Sequence, residues 1–141
     1  MQLHFIANAS VASASGRTIP VIDPSDGQPF DEIQRGTADD IDAAVHAARQ
    51  CYHAVWQKMA PADRGRLLQK LSAKILEHAD ELTALERRDC GKPTRQARAD
   101  ALALARYFEF YAGACDKLHG ETIPYPNGYR VLTWREPHGA T

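Results

Sequence analysis

The sequence predicts a mostly α-helical chain bracketed by two short β-hairpins. Three observations carry that prediction. Apolar residues recur at helical spacing through the middle of the chain, from about residue 37 to residue 118. Asp23-Pro24-Ser25-Asp26-Gly27 is a strong turn signal near the start, and Asn127-Gly128 is a hairpin signal near the end.

Leu3-His4-Phe5-Ile6 has the composition of an edge strand, and a Ser/Ala-rich connector follows over residues 9–16. Residues 19–23 are apolar and β-branched. In the turn after them, Asp suits the first position, Pro fixes φ at the second, and Gly accepts a positive φ. A return strand over residues 30–34 completes the first hairpin.

From Thr37 the period changes. Thr37 is a good N-cap, and Asp39 and Asp40 suit the positive end of a helix dipole. Ile41, Val45, Ala48, Tyr52 and Val55 then form one stripe, with Trp56 near its end. Pro61 restarts the chain as a first-turn proline, and Leu67, Leu68, Leu71, Ile75 and Leu76 form a second stripe. A third helix over residues 80–89 carries Leu82 and Leu85 and is stopped by Gly91 and Pro93.

Thr94 is placed to cap a long final helix whose stripe is Ala97, Ala101, Leu104, Phe108, Tyr111, Cys115 and Leu118, with Gly120 as its stop. Leu102, Ala105, Tyr107, Phe110 and Ala112 fall off that stripe, so apolar material wraps several faces. Such a helix belongs between layers, and the rest of the chain is too small to cover it. In the closing hairpin, Pro124 and Pro126 make the first arm irregular or an edge. The second arm, residues 129–135, is left without a further strand to pair with, so the chain is expected to stop in mid-fold.

The chain has 141 residues, 44% hydrophobic and 25% charged, which suits one soluble globular domain rather than a disordered segment. Seventeen basic residues against eighteen acidic ones leave no net field to attract nucleic acid or anionic lipid. Residues 1–10 lack the pattern of a secretory signal, and no apolar run approaches a membrane span. Cys51, Cys90 and Cys115 are odd in number and widely spaced, as in reduced thiols, so a cytoplasmic location is expected.

The usual chemical motifs are missing. The six histidines form no i,i+4 pair, and no zinc ligand spacing, phosphate-binding glycine loop or nucleophile elbow occurs. Cys51 and Cys115 lie on or beside helix stripes, where cysteine acts as a small buried hydrophobe. Cys90 has Arg87, Arg88 and Lys92 as neighbours, which would lower its pKa. Glu86 and Asp89 share a helix face just before Gly91-Lys92-Pro93. They would hold a loop or a cation there, or Asp89 would bond nearby backbone amides at a helix end.

Six segments, in order, resemble the N-terminal region of the NAD(P)-dependent aldehyde dehydrogenase superfamily. They are Ile22-Asp23-Pro24-Ser25-Asp26-Gly27; Ala54-Val55-Trp56 leading to Ala60-Pro61-Ala62-Asp63-Arg64; Asp89-Cys90-Gly91-Lys92-Pro93; Tyr107-Phe108-Glu109-Phe110-Tyr111-Ala112-Gly113; Asp116-Lys117-Leu118-His119-Gly120-Glu121-Thr122-Ile123-Pro124; and Arg135-Glu136-Pro137-His138-Gly139. Cys90 stands where Thr or Asn is commoner, and Ala60 replaces a Ser-like cap.

The resemblance implies the α/β fold of that family and oxidation of an aldehyde to a carboxylic acid with NAD or NADP. It implies that the nucleophilic Cys, general-base Glu, oxyanion-stabilising Asn and nucleotide-gripping residues all lie beyond Thr141. No catalytic or cofactor-binding residue is therefore expected within this chain, and the chain is expected to be inactive alone. Residues 1–120 are expected to form the N-terminal helical part of the cofactor-binding domain. Residues 121–141 are expected to begin an oligomerisation arm that joins a homo-oligomer. Some family members hold a monovalent cation with an Asp matching Asp89 and a carbonyl near Val21 or Ile22, which makes Asp89 a candidate metal residue. The alternative is a standalone helical interaction module that binds aldehyde dehydrogenase subunits through its hairpin arm.

Overall fold

The computed structural model describes residues 1–140; Thr141, the last residue of the expected arm, lies outside the described residues. Three two-stranded antiparallel sheets flank four α-helices. Strands β1 (His4–Ile6) and β2 (Ala9–Val11) form the first hairpin. Part of the expected Ser/Ala-rich connector is thus a strand, because Ala7 and Asn8 take positive φ and fold it back on β1.

Strands β3 (Thr18–Ile22) and β4 (Pro29–Gln34) form the second hairpin across the Asp-Pro-Ser-Asp-Gly turn, with a register shift between Val21 and Ile22. Gln2 extends this sheet: its amide donates to the Glu32 carbonyl at 2.7 Å, and its carbonyl accepts from the Gln34 amide at 3.1 Å.

Helix α1 (Ala38–Ala54) begins at the expected Thr37 cap with a reciprocal capping box closed by Asp40. A 3-10 turn, Trp56–Lys58, leads to α2 (Pro61–Glu77), with Pro61 in its first turn as expected. Helix α3 (Ala79–Cys90) ends on Gly91 in the left-handed region, φ 66°. Helix α4 (Thr94–Ala114) is the longest. Thr94 is its first helical residue, and Pro93 occupies the cap without a side-chain bond, which corrects the expected Thr94 cap. The helix stops at Ala114, short of Gly120.

The core is a seam of small residues. Helix α2 packs most extensively on α4, and α3 packs beside it. Gly65, Ser72 and Ile75 of α2 and Ala79 of α3 are buried, as are Ala97, Ala101 and Ala105 of α4. A Cβ on Gly65 would lie 2.5 Å from the Ala112 carbonyl oxygen, so the backbones approach at this point closely enough to need glycine.

The large apolar residues face elsewhere. Leu67, Leu71 and Leu76 of α2 are exposed, as are Leu104, Tyr107, Phe110 and Tyr111 of α4. On α1 no residue is buried, so its stripe of Ile41, Val45 and Val55 has nothing over it. The accessible surface is 11,047 Å², against about 7,300 Å² for a compact monomer of this mass.

Strands β5 (Thr122–Ile123) and β6 (Val131–Leu132) make the last hairpin, paired Thr122 to Leu132 and Ile123 to Val131. Asn127 (φ 65°) and Gly128 (φ 75°) turn it as the sequence demands. The second arm is regular for only two residues, shorter than the expected 129–135, and Trp134 beyond it is 81% exposed.

Candidate functional site

The segments singled out in the sequence converge where the β3–β4 hairpin meets the end of α3. The left-handed Gly91 brings the chain under the hairpin turn, where a Cβ would stand 2.8 Å from Pro24 Cγ. Arg88 in the last turn of α3 lays its guanidinium 4.3 Å from the centre of the Phe30 ring. Its Nε also lies 3.7 Å from Asp23 Oδ2. The Asp23 carboxyl is held below its ordinary value, first by the Ser25 hydroxyl and amide that donate to it and then by Arg88 and Arg87.

Lys92 ties α3 to α4. Its ammonium bonds the Glu86 carboxylate and Asp100 Oδ2, the latter at 2.7 Å. Both carboxylates, Asp100 more strongly, push the lysine pKa well above the ordinary range. Sequence reasoning missed this clamp, because the two partners lie six residues before and eight residues after Lys92 on different helices.

Asp89 and Val21 line one open cleft, together with Phe30, Asp31, Leu85 and Glu86. Asp31 is engaged by the N-terminal amine at 2.8 Å and by the Gln2 side chain, which lower its pKa strongly. Glu86 is engaged by Lys92. Among the described residues no ion pair involves Asp89, and its recorded donor is the Cys90 thiol at 3.9 Å rather than a backbone amide. Among the described residues no three His, Cys, Asp or Glu side chains gather as a metal cluster.

The cysteines depart from two expectations. Cys90 is exposed, and its thiol pKa is raised, by partial desolvation first and then by the Glu86 and Asp89 carboxylates; only Lys92 opposes them. Arg88, one of the arginines expected to activate it, turns to Asp23 and Phe30 instead. Cys51 is exposed rather than buried, on the wall of an open cleft between α1 and the β1–β2 hairpin. Cys115 is half-buried and donates to the Tyr111 carbonyl at 3.2 Å.

A second cluster docks the N-terminus on α1. Asp40 Oδ2 accepts from the Ser13 hydroxyl at 2.7 Å and from the Thr37 amide at 2.8 Å, and its pKa is lowered accordingly. The Ser13 amide donates to Gln34 Oε1 at 2.9 Å, so one serine joins helix and sheet. His4 Nε2 is buried without a hydrogen bond, 3.9 Å from Asp40 Oδ2. These contacts are structural: they fix elements and present no reactive group to a cleft.

The whole arrangement has known counterparts. The aldehyde dehydrogenase family model matches residues 11–141. Aldehyde dehydrogenase family 2 member B4, mitochondrial, from Arabidopsis thaliana is 42% identical over 131 residues, covering 92% of this chain and 24% of that protein. Human retinal dehydrogenase 2 is 40% identical, covering 96% of this chain and 27% of that protein.

A crystal structure assigned to an aldehyde dehydrogenase of Burkholderia cenocepacia superposes with a TM-score of 0.91 at 61% identity, over 97% of this chain and 29% of that one. Betaine aldehyde dehydrogenase from Staphylococcus aureus, solved with NAD+, gives 0.84 at 30% identity over 90% of this chain and 26% of that one. The chain therefore spans about a quarter of the length of the curated relatives it matches, at their N-terminal end. With a family match over nearly all of its length and the same backbone at 61% identity, the chain belongs to the aldehyde dehydrogenase family.

Proposed function

We propose that this chain supplies the N-terminal layer of an enzyme that oxidises an aldehyde to a carboxylic acid with NAD+ or NADP+, and that it performs no oxidation alone. The observation that carries the reading is the superposition of 97% of the chain on 29% of one aldehyde dehydrogenase. Support also comes from the chemistry of the described residues: the raised Cys90 thiol has two carboxylates beside it, and no histidine base pairs with it.

In this reading residues 1–120 form the outer helical part of the cofactor-binding domain, and residues 121–141 begin an arm that pairs with another subunit. The exposed Leu132 and Trp134 support the arm, because an edge strand with uncovered apolar side chains invites a partner strand. Asp89, with a Val21 or Ile22 carbonyl, holds a monovalent cation. The enzyme works in the cytoplasm, where its thiols stay reduced.

The test is an assay of the purified 141-residue chain with NAD+ or NADP+ and a panel of aldehydes, following reduced nicotinamide. No reduction above buffer is expected; turnover abolished by Cys90→Ser would sink the reading. The second reading is a standalone module that binds aldehyde dehydrogenase subunits through the same arm. It requires a soluble chain of defined size with a cooperative unfolding transition.

A further inference from the structure

The chain has two asparagines, Asn8 and Asn127, and one Asp-Gly step, Asp26-Gly27. At each, the next residue's main-chain nitrogen can close on the side-chain carbonyl carbon to form a five-membered ring. All three lie in hairpin turns, and the fold ties two of them. The Gly27 amide donates to the Asp23 carbonyl at 2.8 Å, and Asp26 Oδ1 accepts from the Gln28 amide at 2.8 Å, so both reacting groups of that step are engaged. Ala9, which follows Asn8, is held in β2 opposite Ile6, and its methyl group crowds the nitrogen that would attack.

Asn127-Gly128 differs on each count. Among the described residues the Gly128 amide finds no backbone acceptor. Both residues are exposed, and a Cβ placed on Gly128 would meet nothing within 4 Å. Little stiffens the loop: β5 and β6 pair over two residues each, and the Tyr125 and Tyr129 rings that meet edge to face at 6.2 Å are themselves exposed. We infer that Asn127 is a site of spontaneous self-modification. The Gly128 nitrogen attacks the Asn127 side-chain carbonyl carbon, the bond to the side-chain nitrogen breaks, and that nitrogen leaves as ammonia with the Gly128 proton. Water then opens the succinimide ring at either carbonyl, leaving aspartate or isoaspartate.

The product alters the turn. Asn127 sits at φ 65°, in the left-handed region that asparagine tolerates better than most residues. Isoaspartate carries the main chain through its side-chain carbon, so the loop gains a backbone atom and a negative charge beside Tyr125 and Tyr129. The pairing of Thr122 with Leu132 and of Ile123 with Val131 then loses the turn that sets its register. The modification is a slow, one-way loosening of the closing hairpin.

The test keeps the purified protein carrying this sequence at neutral pH for several weeks, folded and in urea, and follows each step by peptide mapping with isoaspartate-resolving mass spectrometry. The folded rate divided by the unfolded rate at each step removes the intrinsic difference between Gly and Ala. Asn127 should react in the folded protein within about threefold of its unfolded rate, whereas folding should slow Asn8 and Asp26 about tenfold or more. The Thr133 amide, which donates to the Glu121 carbonyl at 2.9 Å, should exchange its hydrogen about tenfold faster in the aged protein than in the fresh one. In Asn127→Gln, whose longer side chain cannot close the same ring, ageing should leave that exchange unchanged. The inference is overturned if Asn127 stays unmodified, if folding slows all three steps alike, or if ageing changes Thr133 exchange equally in both proteins. None of these results bears on the aldehyde dehydrogenase reading, which is tested by turnover.

Discussion

The Ser72 hydroxyl donates a 2.8 Å hydrogen bond to the Ala105 carbonyl oxygen, across the seam between α2 and α4. Both residues are buried, and neither belongs to the leucine stripe that marks α2 in the sequence. The bond is possible only because Gly65, Ser72 and the alanines of α4 let the two backbones come close. It fixes the axial register of the two helices.

Gly65→Ala should destabilise the chain, although alanine is the better helix former by about 1 kcal/mol. The added methyl would meet the Ala112 carbonyl at 2.5 Å, and moving the backbones apart costs about 1–3 kcal/mol. Thermal denaturation should show a lower midpoint than the unaltered chain. An equal or higher midpoint would mean that the seam is looser than its geometry.

Ser72→Ala should cost about 1 kcal/mol through loss of one buried hydrogen bond, and Ser72→Leu should cost more through overpacking. Urea titration of the two variants separates the effects by their order. A leucine variant as stable as the alanine variant would contradict close packing here.

Stability should fall on acidification because of Asp31 and Asp40. Both carboxyls titrate lower in the folded chain than in the unfolded one, Asp31 through the N-terminal amine and Asp40 through Ser13 and Thr37. Their contribution is complete above the unfolded carboxyl pKa of about 3.9, and it disappears as pH falls through the depressed folded values. Unfolding midpoints should hold between about pH 7 and pH 5 and drop below about pH 4. In Asp40→Asn that drop should be shallower.

Cys90 should alkylate more slowly than a free thiol at neutral pH, because the Glu86 and Asp89 carboxylates disfavour the thiolate. Asp89→Asn should speed the reaction. Mass-resolved labelling with iodoacetamide reports both, and a Cys90 that labels faster than exposed Cys51 would reverse the assignment.

Much of this was legible in the sequence for local reasons. Thr37, Pro61, Gly91, Asn127 and Gly128 each do what their own conformational preferences dictate, and they punctuate the chain where expected. The expected α4 stripe was half right. Ala97 and Ala101 are buried, but Ala105 joins them, while Leu104 and Tyr111 are exposed. Periodicity finds where apolar side chains are, yet it does not say which of two layers covers them. Here the larger residues are the ones left open.

A ladder of small residues, Gly65, Ser72 and Ala79 at seven-residue spacing opposite Ala97, Ala101 and Ala105, was the available signal for the seam. At the candidate site, Asp89 and Val21, far apart in sequence, line one cleft. The Lys92 clamp was not legible, since only the tertiary fold brings Glu86 and Asp100 to one ammonium.

The contact of Pro24 with Gly91 also has a bearing on the order of assembly. Helices α2, α3 and α4 meet their neighbours across short connections, so their bundle can close soon after those segments leave the ribosome. The β3–β4 hairpin is synthesised before all of them, yet its turn cannot meet Gly91 until α1, α2 and α3 have been made and the α3 end has curled under it. One end of an early hairpin is thus among the last parts to settle: a nascent chain stalled before residue 91 would hold the hairpin at Gln2 and Ser13 with its turn undocked.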